Sequence, residues 1–264
     1  MKDEVSAGGL SFDDVGDGPA VVLLHAFPLA RAMWRPQVEA LQGDYRVIAP
    51  DLRGFGGSRA FDAAPSVETM ADDVAALLDE LKLPGPVVLG GLSMGGYVAL
   101  AFARRHPARL RGLVLADTKA DADDAAGRAN RDRLIALAEK DGARAVIDQM
   151  LPKLLGPATA AQAPQVVEEV RAVAARQTAA AIVGALKALR DRPDANPGLS
   201  AIRVPTLVLV GRDDTLTPPA KSEELAKRIP GARLVVLDGA GHLSNLEQQD
   251  RFNVALRSFL QSVA

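Results

Sequence analysis

The stretch "PVVLGGLSMGGYVAL" at residues 86–100 joins a short apolar run to a run with helical spacing, through a turn that holds four glycines and Ser93. A turn of this composition can bind a phosphate, pack a helix closely against a strand, or expose the serine for chemistry. The spacing of the glycines separates these interpretations.

Two nucleotide-binding motifs are excluded by that spacing. The dinucleotide fingerprint needs glycines at i, i+2 and i+5, and neither Gly90 nor Gly91 has a glycine two positions later. A Walker A loop needs a lysine followed by serine or threonine after its last glycine, whereas Gly96 is followed by Tyr97 and Val98. The turn is therefore not a phosphate-binding loop of either kind.

The pattern that does match is G-x-S-x-G, formed by Gly91, Ser93 and Gly95 between the strand and the helix. This is the context of a nucleophile elbow, in which a sharp turn strains the serine backbone and exposes its hydroxyl. A Cβ at either glycine is expected to collide with the neighbouring strand or helix. The pattern favours Ser93 as a nucleophile, and the alternative is a packing turn with an incidental serine.

Short apolar runs alternate with helical patterns along much of the chain, which is typical of a mostly parallel sheet flanked by helices, an α/β fold. Each run is apolar on both faces, as expected of a strand covered on two sides. The stretches "LSFDDV" and "GPA" predict a small hairpin at the entry. The other runs lie at residues 20–25, 45–50, 110–117, 204–211 and 232–238.

Residues 119–196 interrupt this alternation with an alanine-rich, charged and helical segment. Apolar side chains at helical spacing indicate at least two amphipathic helices there, and another helix is predicted around residues 134–150. We therefore predict an α/β core made of residues 1–118 and 197–264, interrupted after the sixth strand by a helical lid at 119–196.

The composition excludes several classes of protein. The 264 residues carry a formal net charge of only −2, which gives no sign of a nucleic-acid or anionic-membrane partner. Without cysteine the chain has no disulfide, no thiolate nucleophile and no cysteine-ligated metal. No run reaches the roughly 18 apolar residues of a membrane span, and acids stand near the N-terminus where a signal peptide is apolar. We expect a soluble, cytoplasmic protein.

A serine nucleophile needs a general base, and the chain has three histidines. His106 precedes a proline at the end of the helix after Ser93, where a solvent-facing position is expected. His25 ends the first long apolar run and is interpreted as structural. His242 stands in the glycine-flanked loop "DGAGHLSNLE" after the last strand, at the sheet edge where the serine emerges. His242 is the predicted base.

The base in turn needs a carboxylate that fixes its tautomer. Asp213 and Asp214 follow the penultimate strand in "VGRDDTLTPP", which gives the chain order nucleophile, acid, histidine. Asp117, at the end of "LVLAD", is the competing candidate. We predict Asp214 as the acid. The alternative is that these aspartates are solvated turn residues or that Asp214 caps the next helix, a role for which Thr217 is better placed.

With these residues in place, the chain resembles the α/β-hydrolase fold superfamily, and over nearly its whole length it is similar to the small esterase and 3-oxoadipate enol-lactonase-like branch. The motifs that carry the resemblance are "LLHAFP", "PDLRGFGGS", "GLSMGG", "GRDD" with "TPP", and "GAGH", in the expected order. In that superfamily the acid usually follows the strand-ending glycine by three positions, which matches Gly211 and Asp214. Asp51 and Arg53 are interpreted as a pair that fixes their loop.

The resemblance also implies an oxyanion hole formed by the backbone N–H groups of Phe27 and Met94. The loop departs from the family pattern at Ala26, where glycine is usual, and its Cβ is expected to alter the angle of the Phe27 N–H. The substrate pocket is predicted to be apolar and roofed by the lid. Its predicted lining residues are Phe27, Met94, Met150, Leu154 and Leu243.

The predicted function is hydrolysis of small carboxylic esters or lactones by Ser93, His242 and Asp214 through an acyl-enzyme, without metal or organic cofactor. Related chemistries need other residues, such as an aspartate in place of Ser93 in dehalogenases and epoxide hydrolases. The alternative from a different class is a ligand-binding or signalling protein with slow or single-turnover hydrolysis, and cofactor-free peracid formation is a compatible side activity. The acyl group, the alcohol and the oligomeric state are left open.

Overall fold

A computed structural model of the chain describes residues 4–5, 8–61, 65–83 and 85–263. The strands are β1 Glu4–Val5, β2 Ser11–Val15, β3 Ala20–Leu24, β4 Arg46–Pro50, β5 Val87–Leu92, β6 Leu110–Ala116, β7 Thr206–Gly211 and β8 Arg233–Leu237. The helices are α1 Arg35–Leu41, α2 Val67–Glu80, α3 Met94–Arg105, α4 Ala125–Leu154, α5 Pro157–Gln162, α6 Pro164–Ala174, α7 Ala179–Asp191, α8 Pro219–Arg228, α9 Ser244–Glu247 and α10 Gln249–Ser262.

The strands form one sheet in the order β1-β2-β4-β3-β5-β6-β7-β8, in which every neighbouring pair from β4 to β8 is parallel. Since parallel strands end at the same edge, the loops after β3, β5, β6, β7 and β8 meet there. The predicted α/β fold with a mostly parallel sheet is confirmed.

The predicted entry hairpin is wrong in its pairing, because β2 pairs antiparallel with β4 and not with β3. The strand β3 lies between β4 and β5, a central position that suits a segment apolar on both faces. The Asp14 carboxylate on β2 accepts hydrogen bonds of 2.8 and 2.6 Å from the guanidinium of Arg46 at the start of β4. This bidentate pair favours β2 beside β4.

Two apolar cores lie on opposite faces of the sheet. In β3, Val22 and Leu24 pack in the core that contains α2 and α3, while Val21 and Leu23 pack in the core that contains α1 and α10. Each fully buried aliphatic side chain stabilises the fold by roughly 1.5–3 kcal/mol. The carboxyl edge of the sheet is therefore a well-supported platform for functional side chains.

The segment predicted as a lid forms α4, α5, α6 and α7, between β6 and β7. The single helix predicted around residues 134–150 is wrong in one respect, because Gly142 breaks α4 with a φ of +82° that glycine adopts freely. Within the described residues no single helix is long and apolar enough to cross a membrane. The pair α6 and α7, bent by 96°, reaches that length and composition only when taken together.

Candidate active site

Ser93 lies at the junction of β5 and α3 in a left-handed backbone conformation, with φ +53° and ψ −111°. This conformation is strained for a residue with a Cβ, so surrounding contacts must hold it. The Ser93 N–H donates to the Ala116 carbonyl of β6 at 2.9 Å, and the Thr118 hydroxyl donates to the Ser93 carbonyl at 2.9 Å. Both sides of the turn are anchored in the neighbouring strand and loop.

The two motif glycines are required by close backbone approach, as predicted. A Cβ on Gly91 would lie 2.1 Å from the Gly95 carbonyl oxygen, and one on Gly95 would lie 2.1 Å from the Leu24 carbonyl oxygen of β3. No carbon atom fits at these distances. The elbow therefore depends on glycine at both positions.

A chain of hydrogen bonds joins Ser93, His242 and Asp214. The Ser93 Oγ is 2.8 Å from His242 Nε2, and His242 Nδ1 is 2.8 Å from Asp214 Oδ2. These residues stand in the loops after β5, β8 and β7, so the shared carboxyl edge of parallel strands brings them together from distant parts of the chain. His242 and Asp214 are each only 3% exposed.

Hydrogen-bond donors surround the Asp214 carboxylate. Its Oδ1 accepts from the N–H groups of Leu216 and Thr217 at 2.8 and 3.0 Å, and its Oδ2 accepts from the Thr217 hydroxyl at 2.6 Å. Burial alone raises the pKa of this carboxyl, but the charge and hydrogen bond of His242 and the Thr217 donors bring the pKa below its ordinary value.

An ionised Asp214 fixes the tautomer of His242. A carboxylate only accepts hydrogen bonds, so the hydrogen of the ring stands on Nδ1. The other nitrogen, Nε2, then presents its lone pair to the Ser93 hydroxyl. Thr217, which the sequence suggested as a helix cap, instead donates to Asp214.

The two competing aspartates have other surroundings. Asp117 is buried and accepts hydrogen bonds from the Gly211 N–H at 2.8 Å and from the Ser244 hydroxyl. Burial, and then the nearby charge of Asp214, raise the pKa of Asp117 well above its ordinary value. Asp213 is exposed in the turn after β7. Within the described part of the chain, the carboxylate bonded to His242 is that of Asp214.

The other two histidines are hydrogen-bonded to groups other than Ser93. His25 is fully buried and accepts from the Leu52 N–H on Nε2 at 2.9 Å, while its Nδ1 donates to the Ala26 carbonyl at 2.9 Å, as a structural residue should. Burial lowers its pKa. His106 is partly exposed and lies 2.8 Å from Asp72. Across the described ranges, no group of three or more histidine, aspartate or glutamate side chains is arranged to hold a metal ion.

Asp51 and Arg53 hold their loop, as interpreted from the sequence, and each does so through other partners. Asp51 binds the Arg31 guanidinium and accepts from the Arg31 and Gly57 N–H groups at 2.8 and 3.0 Å. Arg53 donates to Asp73 of α2 at 2.7 Å. The loop turns back onto Asp51, so the two side chains are directed to different partners.

The amides of Phe27 and Met94 are free to act as donors. Among the described residues, neither N–H donates to another part of the protein. Met94 is the first residue of α3, where N–H groups have no helical acceptor and the dipole is positive. Ala26 does not have a positive φ, so the reason to expect an altered Phe27 angle is absent.

A cavity of about 90 Å³ opens at Ser93 and His242. Phe27 and Met150 line it as predicted. The other three predicted lining residues are not among those that surround this cavity, and their side chains pack in the two apolar cores; they are Met94, Leu154 and Leu243. The residues that the sequence did not indicate are Tyr97, Lys119, Arg131, Leu189, Leu216 and Thr217.

The cavity has an apolar wall that includes Phe27 and Met150, and Lys119 and Arg131 add two cations to it that the sequence did not indicate. Of the missed residues, Tyr97 could have been found from the sequence, because it lies one helical turn after Ser93 on α3. Lys119 and Arg131 stand in a loop and in α4, and no local pattern places them near Ser93.

Glu247 links the His242 loop to the helical segment. Its Oε1 accepts from the N–H groups of Gly241 and Leu243 at 2.9 and 3.2 Å, and its Oε2 accepts from the Gly156 N–H at 2.7 Å. Burial raises the pKa of Glu247, and the hydrogen bonds that it accepts oppose this. The backbone on both sides of His242 is therefore held by one carboxyl group.

The chain belongs to the alpha/beta hydrolase fold family, whose model matches residues 19–249. It is similar to an esterase of Thermogutta terrifontis solved with malate bound, with 42% identity and a TM-score of 0.93 over 96% of this chain and 93% of that one. It is also similar to the enol-lactonase of Burkholderia xenovorans, with 31% identity and a TM-score of 0.90 over 98% and 100% of the two chains. A putative carbamate hydrolase of Variovorax paradoxus is 35% identical, with 94% of each chain covered.

Proposed function

We propose that the protein is a serine hydrolase that cleaves carboxylic esters or lactones of small substrates. The observation that carries this proposal is the unbroken hydrogen-bond chain from the Ser93 hydroxyl through His242 to Asp214, beside a cavity. The esterase and the enol-lactonase among the similar proteins support the same class of reaction. The cavity is well below the roughly 300–1,000 Å³ of pockets for drug-sized ligands, which favours small substrates.

In the first half of the reaction, His242 Nε2 takes the hydroxyl proton as Ser93 Oγ attacks the ester carbonyl. The ionised Asp214 stabilises the imidazolium that forms. The Phe27 and Met94 amides donate to the oxyanion of the tetrahedral intermediate. The intermediate collapses as His242 returns the proton to the leaving alcohol, and the acyl group stays on Ser93.

In the second half, His242 removes a proton from water, which attacks the acyl-enzyme and releases the acid. The helical segment at 119–196 acts as the lid over this site. Met150 on α4 and Leu189 on α7 support that role, because both line the cavity at Ser93.

The test compares the wild type with Ser93→Ala on a panel of a simple ethyl ester, a lactone and a carbamate. We expect turnover of the ester or the lactone by the wild type, and a loss of at least about a thousandfold in the variant, since the nucleophile is absent. A serine-directed covalent inhibitor should label the peptide that contains Ser93, as read by mass spectrometry.

Ser222→Ala is the matched control. Ser222 is a buried serine on α8 whose hydroxyl has no hydrogen-bond partner within the described structure, so this variant should keep full activity. Equal turnover by the wild type and Ser93→Ala would overturn the proposal. A stoichiometric burst without steady turnover would assign the site to ligand binding instead, and turnover of the carbamate alone would correct the substrate class.

A further inference from the structure

Lys119 brings an unpaired positive charge to the cavity at Ser93. It follows β6 and is half-buried, and it lines the same cavity as Ser93 and His242. Within the part of the chain that the structure describes, its ammonium group forms no ion pair and no hydrogen bond. A half-buried charge without a partner is costly, which points to a partner supplied from outside the chain.

The two carboxylates whose charges raise the pKa of Lys119, Asp121 and Asp123, already have other partners. Asp121 lies 3.2 Å from the Lys221 ammonium and accepts a further hydrogen bond from an asparagine side chain. Asp123 lies between two guanidinium groups, at 3.0 Å from Arg131 and 2.8 Å from Arg192. Neither is free to neutralise Lys119.

The ion pairs around Lys119 join the three cations Arg131, Arg192 and Lys221 to the three carboxylates Asp121, Asp123 and Glu224. Within the described residues, Lys119 is therefore left as the cation of this group without a carboxylate partner. Burial and the charge of Arg192 lower the pKa of Lys119, and Asp123 and Asp121 only partly oppose this. Since Arg131 also lines the cavity at Ser93, the excess positive charge faces the space that a substrate would fill. An anionic group placed there would favour the charged lysine.

We infer that Lys119, with Arg131 beside it, binds a carboxylate of the substrate, so that the preferred substrates are esters or lactones of short acids that carry a second carboxylate. This inference rests on the proposed function. Tyr97 and Lys119 also line a second cavity of about 330 Å³, so Lys119 stands at the wall that the two cavities share. Lys119 takes no part in bond making: water splits the ester, and the products are a dicarboxylate and an alcohol.

The test compares monoethyl glutarate with ethyl pentanoate, which has a similar chain and no charge, by titration of the acid released. We expect the ratio of kcat/KM for the anionic ester over the neutral ester to fall in Lys119→Met by about ten- to a hundredfold, mainly through KM, because a charge-assisted hydrogen bond is lost. Lys119→Arg should restore most of the ratio.

Lys187→Met is the matched control, because Lys187 is a half-buried lysine on α7 that lines neither cavity, and the ratio should not change. If the wild type hydrolyses ethyl pentanoate but Lys119→Met leaves the ratio unchanged, the carboxylate site is wrong and the proposed function stands.

If neither ester is hydrolysed, the proposed hydrolase function is rejected, and the carboxylate-binding site is then tested on its own by calorimetry with glutarate. Binding by the wild type that weakens about tenfold or more in Lys119→Met would support the carboxylate site. Equal binding by both proteins, or none by the wild type, would overturn it.

Discussion

The two buried aspartates at the sheet edge differ in their charge state because their surroundings differ. Asp214 is surrounded by N–H and O–H donors and by His242, which keep its pKa low. Asp117 accepts hydrogen bonds from Gly211 and Ser244, yet burial and the charge of Asp214 raise its pKa. Two like charges this close favour ionisation of only one of them. Asp214 is the one placed to hold His242.

The variant Asp214→Asn tests that role. An amide can donate as well as accept, so it no longer holds the hydrogen on His242 Nδ1. We expect a loss of about 10⁴-fold in kcat with the fold retained, as for the same change in serine proteases. The measurement is steady-state hydrolysis of ethyl pentanoate, with circular dichroism as a check on the fold.

Asp213→Asn is the control for this experiment, because Asp213 is an exposed neighbour without a bond to His242. It should keep the wild-type rate. Near wild-type activity in Asp214→Asn would show that another group orients the histidine.

At the scale of elements, the position of Ser93 depends on how closely α3 approaches the strands. The helix begins directly at Met94, and its glycines let the backbone lie against β3 and against the loop after β6. A Cβ on Gly96 would lie 2.5 Å from the Thr118 hydroxyl oxygen, which itself bonds the Ser93 carbonyl. The elbow is therefore one packed unit of strand, turn and helix.

Gly95→Ala should disturb this unit. The new Cβ would lie 2.1 Å from the Leu24 carbonyl oxygen, so the start of α3 must move. We expect a loss of about 2 kcal/mol or more in the free energy of unfolding, measured by urea denaturation. Activity should fall as well, since Met94 and Ser93 lie on the displaced turn.

The matched control is Gly43→Ala, at a position where a Cβ meets no atom within 4 Å. Its free energy of unfolding should stay within about 0.5 kcal/mol of the wild type. Equal stability of the two variants would contradict the close packing of α3 on β3.

At the scale of the whole molecule, the sheet edge concentrates charge in a buried region. Asp117, Asp214 and Glu247 come from three separate loops and helices, and burial raises the pKa of Asp117 and of Glu247. A group that holds its proton more strongly in the folded than in the unfolded state makes stability depend on pH. The free energy of unfolding of the protein should therefore change with pH as these carboxyl groups titrate.

The prediction concerns Asp117, whose pKa is raised on folding. The contribution of Asp117 to the free energy of unfolding is fully present at pH values below the pKa that this residue has in the unfolded chain. It is lost as the pH rises toward the higher pKa that the residue has in the folded protein. The free energy of unfolding of Asp117→Asn relative to the wild type should therefore increase as pH rises from about 4. Urea denaturation at several pH values measures this difference, and a difference that stays flat would contradict the raised pKa.

Much of the architecture was predictable because it depends on neighbours in the chain. The glycines around Ser93 indicate a local turn too tight for side chains, and the apolar runs predict strands that are buried on both faces. The parallel order of those strands then predicts that Ser93, Asp214 and His242 meet at one edge. The pairing of β2 was not predictable in this way, since β2 and β4 are distant in the sequence and their contact, which includes the Asp14–Arg46 pair, forms only in the folded sheet.

The amino-acid sequence by itself determined the elbow, the strand pattern and the three residues of the hydrogen-bond chain, because each is encoded by short-range spacing or by position at a strand end. The tertiary structure alone decided what lines the cavity. The apolar cores contain Met94, Leu154 and Leu243, whereas the cavity at Ser93 is lined by Lys119 and Arg131. The physical reason is that side chains of a loop and of an inserted helix reach the site through packing between distant elements, which no local periodicity records.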